Sequence, residues 1–297
     1  MKTAIITPNP SDMEVKIITK EFQKKEFDVK IIIPGEMNVS VGLNVKNEPN
    51  SEKFLCNIFE DIEPRGALVR GFGINVTQKI FFRLDILRIL ENMEIKLINS
   101  RESLELATDK LLTSFLFEKA NIPTLKTIIC EDFNDALEAF EILGENVVLK
   151  PVFGSKGIGL TRINDRGFAE NVIYKLSQLN EIFYLQEFVE HNNRDIRILV
   201  LGNEAVAGMY RISDSWKTNI YAGAQPKPIN LSDELKELAV KAAKATKTEI
   251  AGVDILETDN GLKVIEVNSI PGFTALQKVT KINLAEKIVE YYLDQIK

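Results

Sequence analysis

Histidine and tryptophan each occur once in these 297 residues, and cysteine twice. A single histidine, His191, excludes every zinc site built on two histidines, including the HExxH helix. It leaves Ser-His-Asp or Cys-His catalysis only with His191 as the base, and nothing around it resembles a nucleophile elbow. The polar stretch Glu190-His191-Asn192-Asn193 reads instead as a solvated loop. Cys56 and Cys130 make no CxxC pair and no disulfide framework, which suits a reducing cytoplasm. No apolar stretch reaches the ~18 residues of a membrane span, so no membrane role is expected. The apolar run in residues 1–8 is too short for a signal peptide and reads as a buried strand. Nor is positive charge in excess. Lys plus Arg is 37 against 43 Asp plus Glu, a formal charge of -6. That disfavours a protein built for non-specific nucleic-acid binding.

What is present is globular composition, with 45% hydrophobic and 27% charged residues. Such a chain buries enough apolar surface to offset ordering, and its length suits two or three packed units. The first hundred residues alternate strand (3–7, 29–33, 67–70, 95–98) with helix (12–25, 77–92). That alternation implies a mostly parallel open sheet. Residues 36–51 are polar and Asn-rich and read as a long surface connection. Residues 102–120 read as one long helix, stopped by Pro123. A domain boundary is placed near residue 100. The remainder reads as α+β, with hairpins at 196–211 and 250–267 and a last helix over 283–296.

Three constellations carry chemistry. In Lys150-Pro151-Val152-Phe153-Gly154-Ser155-Lys156-Gly157-Ile158-Gly159, three glycines lie within six residues beside two lysines. Its backbone N–H groups are suited to wrapping a polyphosphate. It is not a P-loop, because Leu160 and Thr161 follow where Lys and Ser/Thr are required. A plain hairpin turn with a glycine bulge is the other reading.

The second constellation is a carboxylate hairpin. A three-residue loop at 259–261 would pair 258 with 262 and set Asp254 opposite Glu266. Asn268 shares that face, because side chains alternate along a strand. Two carboxylates and an amide amid apolar neighbours repel unless something positive lies between them, and oxygen-only ligands suit Mg²⁺ held with nucleotide phosphates. A solvated outer face or a glycoside-hydrolase dyad are the alternatives. The third is Arg194-Asp195-Ile196-Arg197 with Arg211 and Asn219. Asp195 and Arg197 alternate onto one strand face, which suggests anion recognition or a surface ion-pair network.

In order, Thr108-Asp109-Lys110, Leu149-Lys150-Pro151, the glycine loop, Leu185-Gln186-Glu187-Phe188-Val189, Arg194-Asp195-Ile196-Arg197, Arg211…Asn219, Asp254 and Glu266-Val267-Asn268-Ser269-Ile270-Pro271-Gly272 resemble the ATP-grasp carboxylate–amine ligases. The branch is the one that includes the ribosomal-protein glutamate ligases. The resemblance is specific over residues 100–297 and looser before them. It implies an N-terminal open α/β domain (1–99), then a two-subdomain ATP-grasp fold. Residues 100–189 would carry the glycine-rich lid and residues 190–297 the metal site.

The resemblance also implies roles. Lys110 and Lys150 would contact ATP phosphates. Gly154, Ser155, Lys156, Gly157, Ile158 and Gly159 would close over them. Gln186, Glu187, Phe188 and Val189 would line the adenine pocket, largely through backbone groups, and Asp195 would lie near the ribose or phosphate. Arg197 and Arg211 would face the transferred phosphoryl group, and Asn219 would hold phosphate and substrate. Asp254, Glu266 and Asn268 would bind two Mg²⁺ ions, or Mn²⁺, with Glu266 bridging.

The segment Val69-Arg70-Gly71-Phe72-Gly73, with Phe81-Phe82-Arg83-Leu84-Asp85, looks most like the branch that caps methanogenic coenzymes with α-linked L-glutamate. The expected partners are therefore ATP, L-glutamate and a carboxylate-bearing coenzyme. Tetrahydromethanopterin stands ahead of the deazaflavin coenzyme as acceptor, and a homo-oligomer is possible. Addition to a protein C-terminus and a non-catalytic nucleotide-binding module are the rival classes. Arg70 would pair with an acidic acceptor tail or make an internal ion pair. Trp216 would wall the acceptor ring or anchor its loop.

Overall fold

The computed structural model describes residues 1–41, 54–56, 66–73, 77–152 and 157–297. Strand and helix alternate at the start, as the apolar pattern requires. β1 (Lys2–Ile6) leads to α1 (Met13–Lys24), β2 (Asp28–Ile32), β3 (Val39–Val41), β4 (Phe54–Cys56), β5 (Gly66–Val69), α2 (Thr77–Asn92) and β6 (Lys96–Ile98). The order in the main sheet is β2-β1-β5-β6, with every neighbour parallel. Parallel strands are covered on both faces, and Ala4-Ile5-Ile6 and Ala67-Leu68-Val69 are accordingly buried without alternation. α1 begins where the Asp12 side chain accepts from the N–H groups of Glu14 and Val15, a cap worth about 1 kcal/mol. Within 36–51, the described part is β3 and its approach; residues 42–51 lie outside the described residues.

α3 (Arg101–Thr108) and α4 (Lys110–Lys119) replace the single helix expected over 102–120. Asp109 makes the break. Its backbone is extended (φ -86, ψ 103) and its side chain accepts from Leu112 N–H at 3.0 Å, capping a new helix. Lys110 therefore stands in a first turn rather than mid-helix.

β7 (Thr127–Cys130), α5 (Phe133–Ile142), β8 (Val147–Lys150), β9 (Thr161–Ile163), α6 (Arg166–Ser177) and β10 (Phe183–Glu187) build an antiparallel sheet in the order β7-β10-β8-β9. Ala136 and Phe140 of α5 and Ile173 of α6 pack on Val147, Leu149, Phe183 and Leu185. By alternation, residues 148, 150, 184 and 186 face the other side.

β11 (Arg194–Leu201), β12 (Glu204–Ile212), β13 (Gln225–Pro228), α7 (Asp233–Ala245), β14 (Ile250–Thr258) and β15 (Gly261–Asn268) build a second antiparallel sheet, ordered β13-β12-β11-β14-β15. β13 was not expected. With Pro226 and Pro228 it is an edge strand, where missing N–H donors are tolerated. Ala239, Ala242 and Ala243 of α7 pack on Ile196, Ile198, Val253 and Ile255, so Asp195, Arg197 and Asp254 face away from α7.

The β14–β15 turn is one residue shorter than expected, with Thr258 opposite Gly261. A bulge then restores the register: Ile255 pairs with Val264, but Asp254 pairs with Glu266. The expected carboxylate pair is therefore present, by a different route.

α8 (Thr274–Gln277) and α9 (Leu284–Gln295) end the chain. Two compact units result, one of Met1–Leu104, Gly272–Thr274 and Ile282–Lys297, the other of Glu105–Pro271 and Ala275–Lys281. α9 belongs with the first: Tyr292 Oη lies 2.7 Å from Thr3 Oγ1 and its ring meets Phe22 edge-on at 5.3 Å. That differs from a 190–297 subdomain containing the last helix. His191 also departs from expectation. It is 6% exposed rather than solvated, its ring centroid 5.9 Å from that of Phe188 and its Nδ1 3.2 Å from the Arg194 carbonyl. Among the described residues no helix is long and apolar enough to cross a membrane.

Candidate active site

The second sheet brings charge together by register. Arg197 lies opposite Asp254, Asp254 opposite Glu266, and Asp195 opposite Arg211. Arg197 donates to Asp254 through Nε and Nη2, the latter at 2.8 Å. Arg211 donates to Asp195 through Nε at 2.7 Å and Nη2 at 2.5 Å, and Nη2 also lies 2.9 Å from Asp254 Oδ2. Thr218 Oγ1 donates to Asp195 Oδ2 at 2.6 Å. Asp195, Arg211 and Asp254 are all buried, at no more than 4% exposure. Buried charges persist only when paired and hydrogen-bonded, and bidentate arginine–carboxylate pairs meet that need.

Burial raises the Asp254 carboxyl, but Arg197 and Arg211 outweigh it and hold it below the usual range. Asp195, with one arginine and Asp254 nearby, is pushed up by burial. Glu266 is also raised, first by burial and then by Asp254. Burial disfavours the charged Arg211 guanidinium, yet the two aspartates hold it above its ordinary value.

Asp254, Glu266 and Asn268 offer oxygen donors only. That set fits Mg²⁺, which keeps waters and phosphate oxygens as its remaining ligands, and it does not fit zinc. Among the described residues no cluster of three or more His, Cys, Asp or Glu side chains forms a self-sufficient metal cage. Asn268 Nδ2 donates to the Gly252 carbonyl at 3.2 Å, which orients its amide oxygen. Gly252 is required there: a Cβ would stand 2.8 Å from Pro271 Cβ and 3.0 Å from Arg197 Nη1.

The face of the β7–β10 sheet turned away from α5 and α6 carries Lys150, and Lys110 stands in the first turn of α4. Lys150 Nζ donates to Gln186 Oε1 at 2.6 Å, and Gln186 Nε2 donates to Thr127 Oγ1 at 2.9 Å. Burial lowers Lys150 to about 8. Burial also lowers Lys110, whose Nζ reaches the Val152 carbonyl at 3.2 Å, and Glu266 opposes that shift. Both lysines thus sense the charge of Glu266. Tyr184 Oη meets Ser114 Oγ at 2.9 Å on the same face, beneath the Lys150 ammonium. Tyr184, Ser114, Thr127 and Thr218 were not singled out by sequence. The alternation that places Gln186 also places Tyr184; the other three leave no such signal.

The segment 186–189, expected to line the adenine pocket largely through backbone groups, is tied down by both side chains and backbone. The Gln186 side chain is buried and bonded at both ends. The N–H groups of Glu187 and Phe188 donate to the Lys126 and Asn146 carbonyls, at 2.9 and 2.8 Å. The Glu187 carboxylate accepts from Lys126 N–H, and Val189 follows β10 half-buried. Asp195 is buried, its Oδ1 accepting from Arg211 and its Oδ2 from Arg211 and Thr218.

Of the glycine loop, Gly154, Ser155 and Lys156 lie outside the described residues. Gly157 has φ +72, and a Cβ on it would stand 2.8 Å from Asn219 Cγ. Ile158 is exposed, and Gly159 has φ +83. Trp216 meets Phe188 edge-on at 6.1 Å, and the Arg162 guanidinium lies 3.5 Å over the Phe188 ring. Arg70 belongs to the first unit. Its side chain is 6% exposed, its Nη2 is 2.6 Å from Glu14 Oε2, and its guanidinium lies over the Phe273 ring. The other Glu14 oxygen accepts from the N–H groups of Phe273 and Thr274, at 2.6 and 2.9 Å.

Residues 107–292 match the RimK-like ATP-grasp domain. The chain is 37% identical over 289 residues to a tetrahydromethanopterin:alpha-L-glutamate ligase of Methanococcus maripaludis, covering 94% of each. It is 35% identical to the enzyme of the same name in Methanocaldococcus jannaschii, covering all of both. Among solved structures, the ATP-grasp ligase PsnB with a minimal precursor, Mg and ADP matches all of this chain and 97% of its own, at a TM-score of 0.75 and 16% identity. The buried arginine–carboxylate ladder, Lys150 of the other sheet and Lys110 of α4 thus belong to a chain that is a member of the RimK-like ATP-grasp family.

Proposed function

We propose that this protein adds L-glutamate to tetrahydromethanopterin through an α-linked amide, using ATP to activate the coenzyme carboxylate. The observation that carries the reading is the ladder Asp195–Arg211–Asp254–Arg197 beside Glu266. It places two guanidiniums, each held by aspartates, next to oxygen donors, and positioned charge of both kinds is what phosphoryl transfer with a divalent cation needs. Full-length relatives that bear that activity in their names support the choice of acceptor. ATP-grasp chains are ATP-dependent ligases that work with Mg²⁺. Two ions, or Mn²⁺ in their place, and a cytoplasmic location belong to the proposal.

In this reading Lys110 and Lys150 bind the ATP phosphates. The acceptor carboxylate oxygen attacks the γ-phosphorus, the bond to the β–γ bridging oxygen breaks, and ADP leaves. Arg197 and Arg211 stabilise charge on the transferred group and on the acyl phosphate. Asn219 orients that group. The neutral glutamate amine then attacks the acyl carbon, and inorganic phosphate leaves with the electron pair of the C–O bond and takes up the amine's proton. Asp254, Glu266 and Asn268 would hold Mg²⁺, which supplies Lewis-acid charge to the phosphates when bound. Loop residues Gly157 to Gly159 exclude water, which would otherwise hydrolyse the acyl phosphate.

The test is one mass-spectrometric assay with Mg²⁺, ATP, glutamate and either tetrahydromethanopterin or the deazaflavin coenzyme. A gain of one glutamyl residue on tetrahydromethanopterin, with ADP released, is the expected result. Glutamylation of the deazaflavin coenzyme alone, or of neither, overturns the choice of acceptor. Release of AMP would overturn the acyl-phosphate route.

A further inference from the structure

Thr218 has no part in the reaction scheme above, yet its hydroxyl is spent on a fully buried carboxylate of the ladder. Arg211 ends β12, and the chain then leaves the sheet for residues 213–217 before returning the Thr218 side chain to Asp195. That excursion is held by its own serines. Ser213 N–H donates to the Asn193 carbonyl at 3.0 Å, Ser215 N–H to Ser213 Oγ at 3.2 Å, and Lys217 N–H to Ser215 Oγ at 3.3 Å. The next residue, Asn219, stands against Gly157 of the glycine loop.

We infer that Thr218 is a positioning residue for phosphoryl transfer: its hydroxyl fixes the plane of Asp195, which in turn fixes the guanidinium of Arg211. The physics is that of an anchored lever. A free arginine side chain carries about 2 kcal/mol of rotamer entropy, so a guanidinium that must meet a transient charge needs to be held in advance. Asp195 holds Arg211 by two parallel bonds, which transmit orientation as well as position. An aspartate can still rotate about its own side-chain bonds. The third bond, from Thr218 to Oδ2, removes that freedom. A β-branched side chain is stiff at χ1, so the direction of its hydroxyl is set by the loop backbone. The same backbone step carries Asn219, so one segment sets both groups.

The inference rests on Arg211 acting in the proposed reaction, and the experiment separates the two. Steady-state kinetics with all three substrates are measured for Thr218→Val, Thr218→Ser, Asp195→Asn, the double variant Thr218→Val/Asp195→Asn, and Arg211→Ala. Thr218→Val keeps the shape and removes the hydroxyl. Its kcat should fall on the order of tenfold to a hundredfold, with each KM within about twofold of wild type. Thr218→Ser should recover to within about threefold. Adding Thr218→Val to Asp195→Asn should cost little further, because the two-bond fork to Arg211 through which Thr218 acts is already broken. Wild-type kcat in Thr218→Val beside an inactive Arg211→Ala overturns the inference, as does failure of Ser to rescue. Full activity in Arg211→Ala overturns instead the role of Arg211 on which it stands. A merely structural Thr218 would lower thermal stability in the Val variant without splitting kcat from KM.

Discussion

Glu14 with Arg70 in the first unit, and the Asp195–Arg211–Asp254–Arg197 ladder in the second, answer the same desolvation problem with different balances. Glu14 faces one arginine and spends its other oxygen on two backbone N–H groups. One charge meets one charge, and the carboxylate is a fastener between α1 and the Phe273 backbone. The ladder alternates two arginines with two aspartates and then adds Glu266. Among the described residues no hydrogen bond or ion pair closes on Glu266, while Lys110 and Lys150 feel its charge. A closed pair serves stability; a cluster whose last carboxylate is left open has capacity for a ligand.

The sharpest test of that contrast is Glu266→Ala. We expect turnover to fall by about a thousandfold or more in the glutamyl-addition assay, with an unchanged far-UV spectrum. Retained turnover would remove Glu266 from the metal set. Glu14→Ala should do the opposite. Breaking a buried pair costs about 3–5 kcal/mol, read as a lower unfolding temperature, while kcat moves less than about threefold. Lost activity at unchanged stability would return Arg70 to the acceptor site.

Lys150 supplies a pH test on the other sheet. Its folded value of about 8 lies below the ordinary 10.5 because of burial. In its proposed role, the side chain above pH 8 must take up a proton to meet the ATP phosphates. ATP affinity should therefore weaken by up to about tenfold per pH unit there, with proton uptake on binding visible by calorimetry in buffers of different ionisation heat. Without nucleotide the sign reverses. Between pH 8 and 10.5 the unfolded chain keeps this proton and the folded one does not, so this residue's contribution to stability rises with pH. A pH-independent ATP affinity over that range would show that Lys150 does not touch phosphate.

Gly157→Ala should lower kcat/KM by about tenfold, because the added methyl collides with Asn219 and the backbone is left-handed. The smallest effect belongs to Trp216→Leu. Its ring leans on Phe188, so KM for the acceptor should change by less than about twofold. A much larger rise in that KM alone would make the ring a wall of the acceptor site.

Much of the site was legible along the chain because strands alternate. Asp195 with Arg197, and Glu266 with Asn268, share faces by period two alone. The same period made the first parallel sheet and its buried runs readable. Where expectation and structure part, a specific hydrogen-bond or packing partner decides. Asp109 breaks a helix that the apolar pattern alone would continue, by offering its carboxylate to the Leu112 N–H. His191 looks solvated among polar neighbours and is buried instead, its ring beside Phe188. Asp195, expected near the ribose or phosphate, has Arg211 and Thr218 as its side-chain partners, and no pattern along the chain announces Thr218.

By itself, the order of residues determined the strand faces, the oxygen-donor set and the glycine loop, because those follow from local geometry and side-chain chemistry. Only the tertiary structure decided which carboxylate is closed and which is open, that a bulge at Ile265 restores the Asp254–Glu266 register, and that α9 packs with α1. Those outcomes depend on pairings between distant segments, where burial makes every unpaired charge costly and so selects one arrangement.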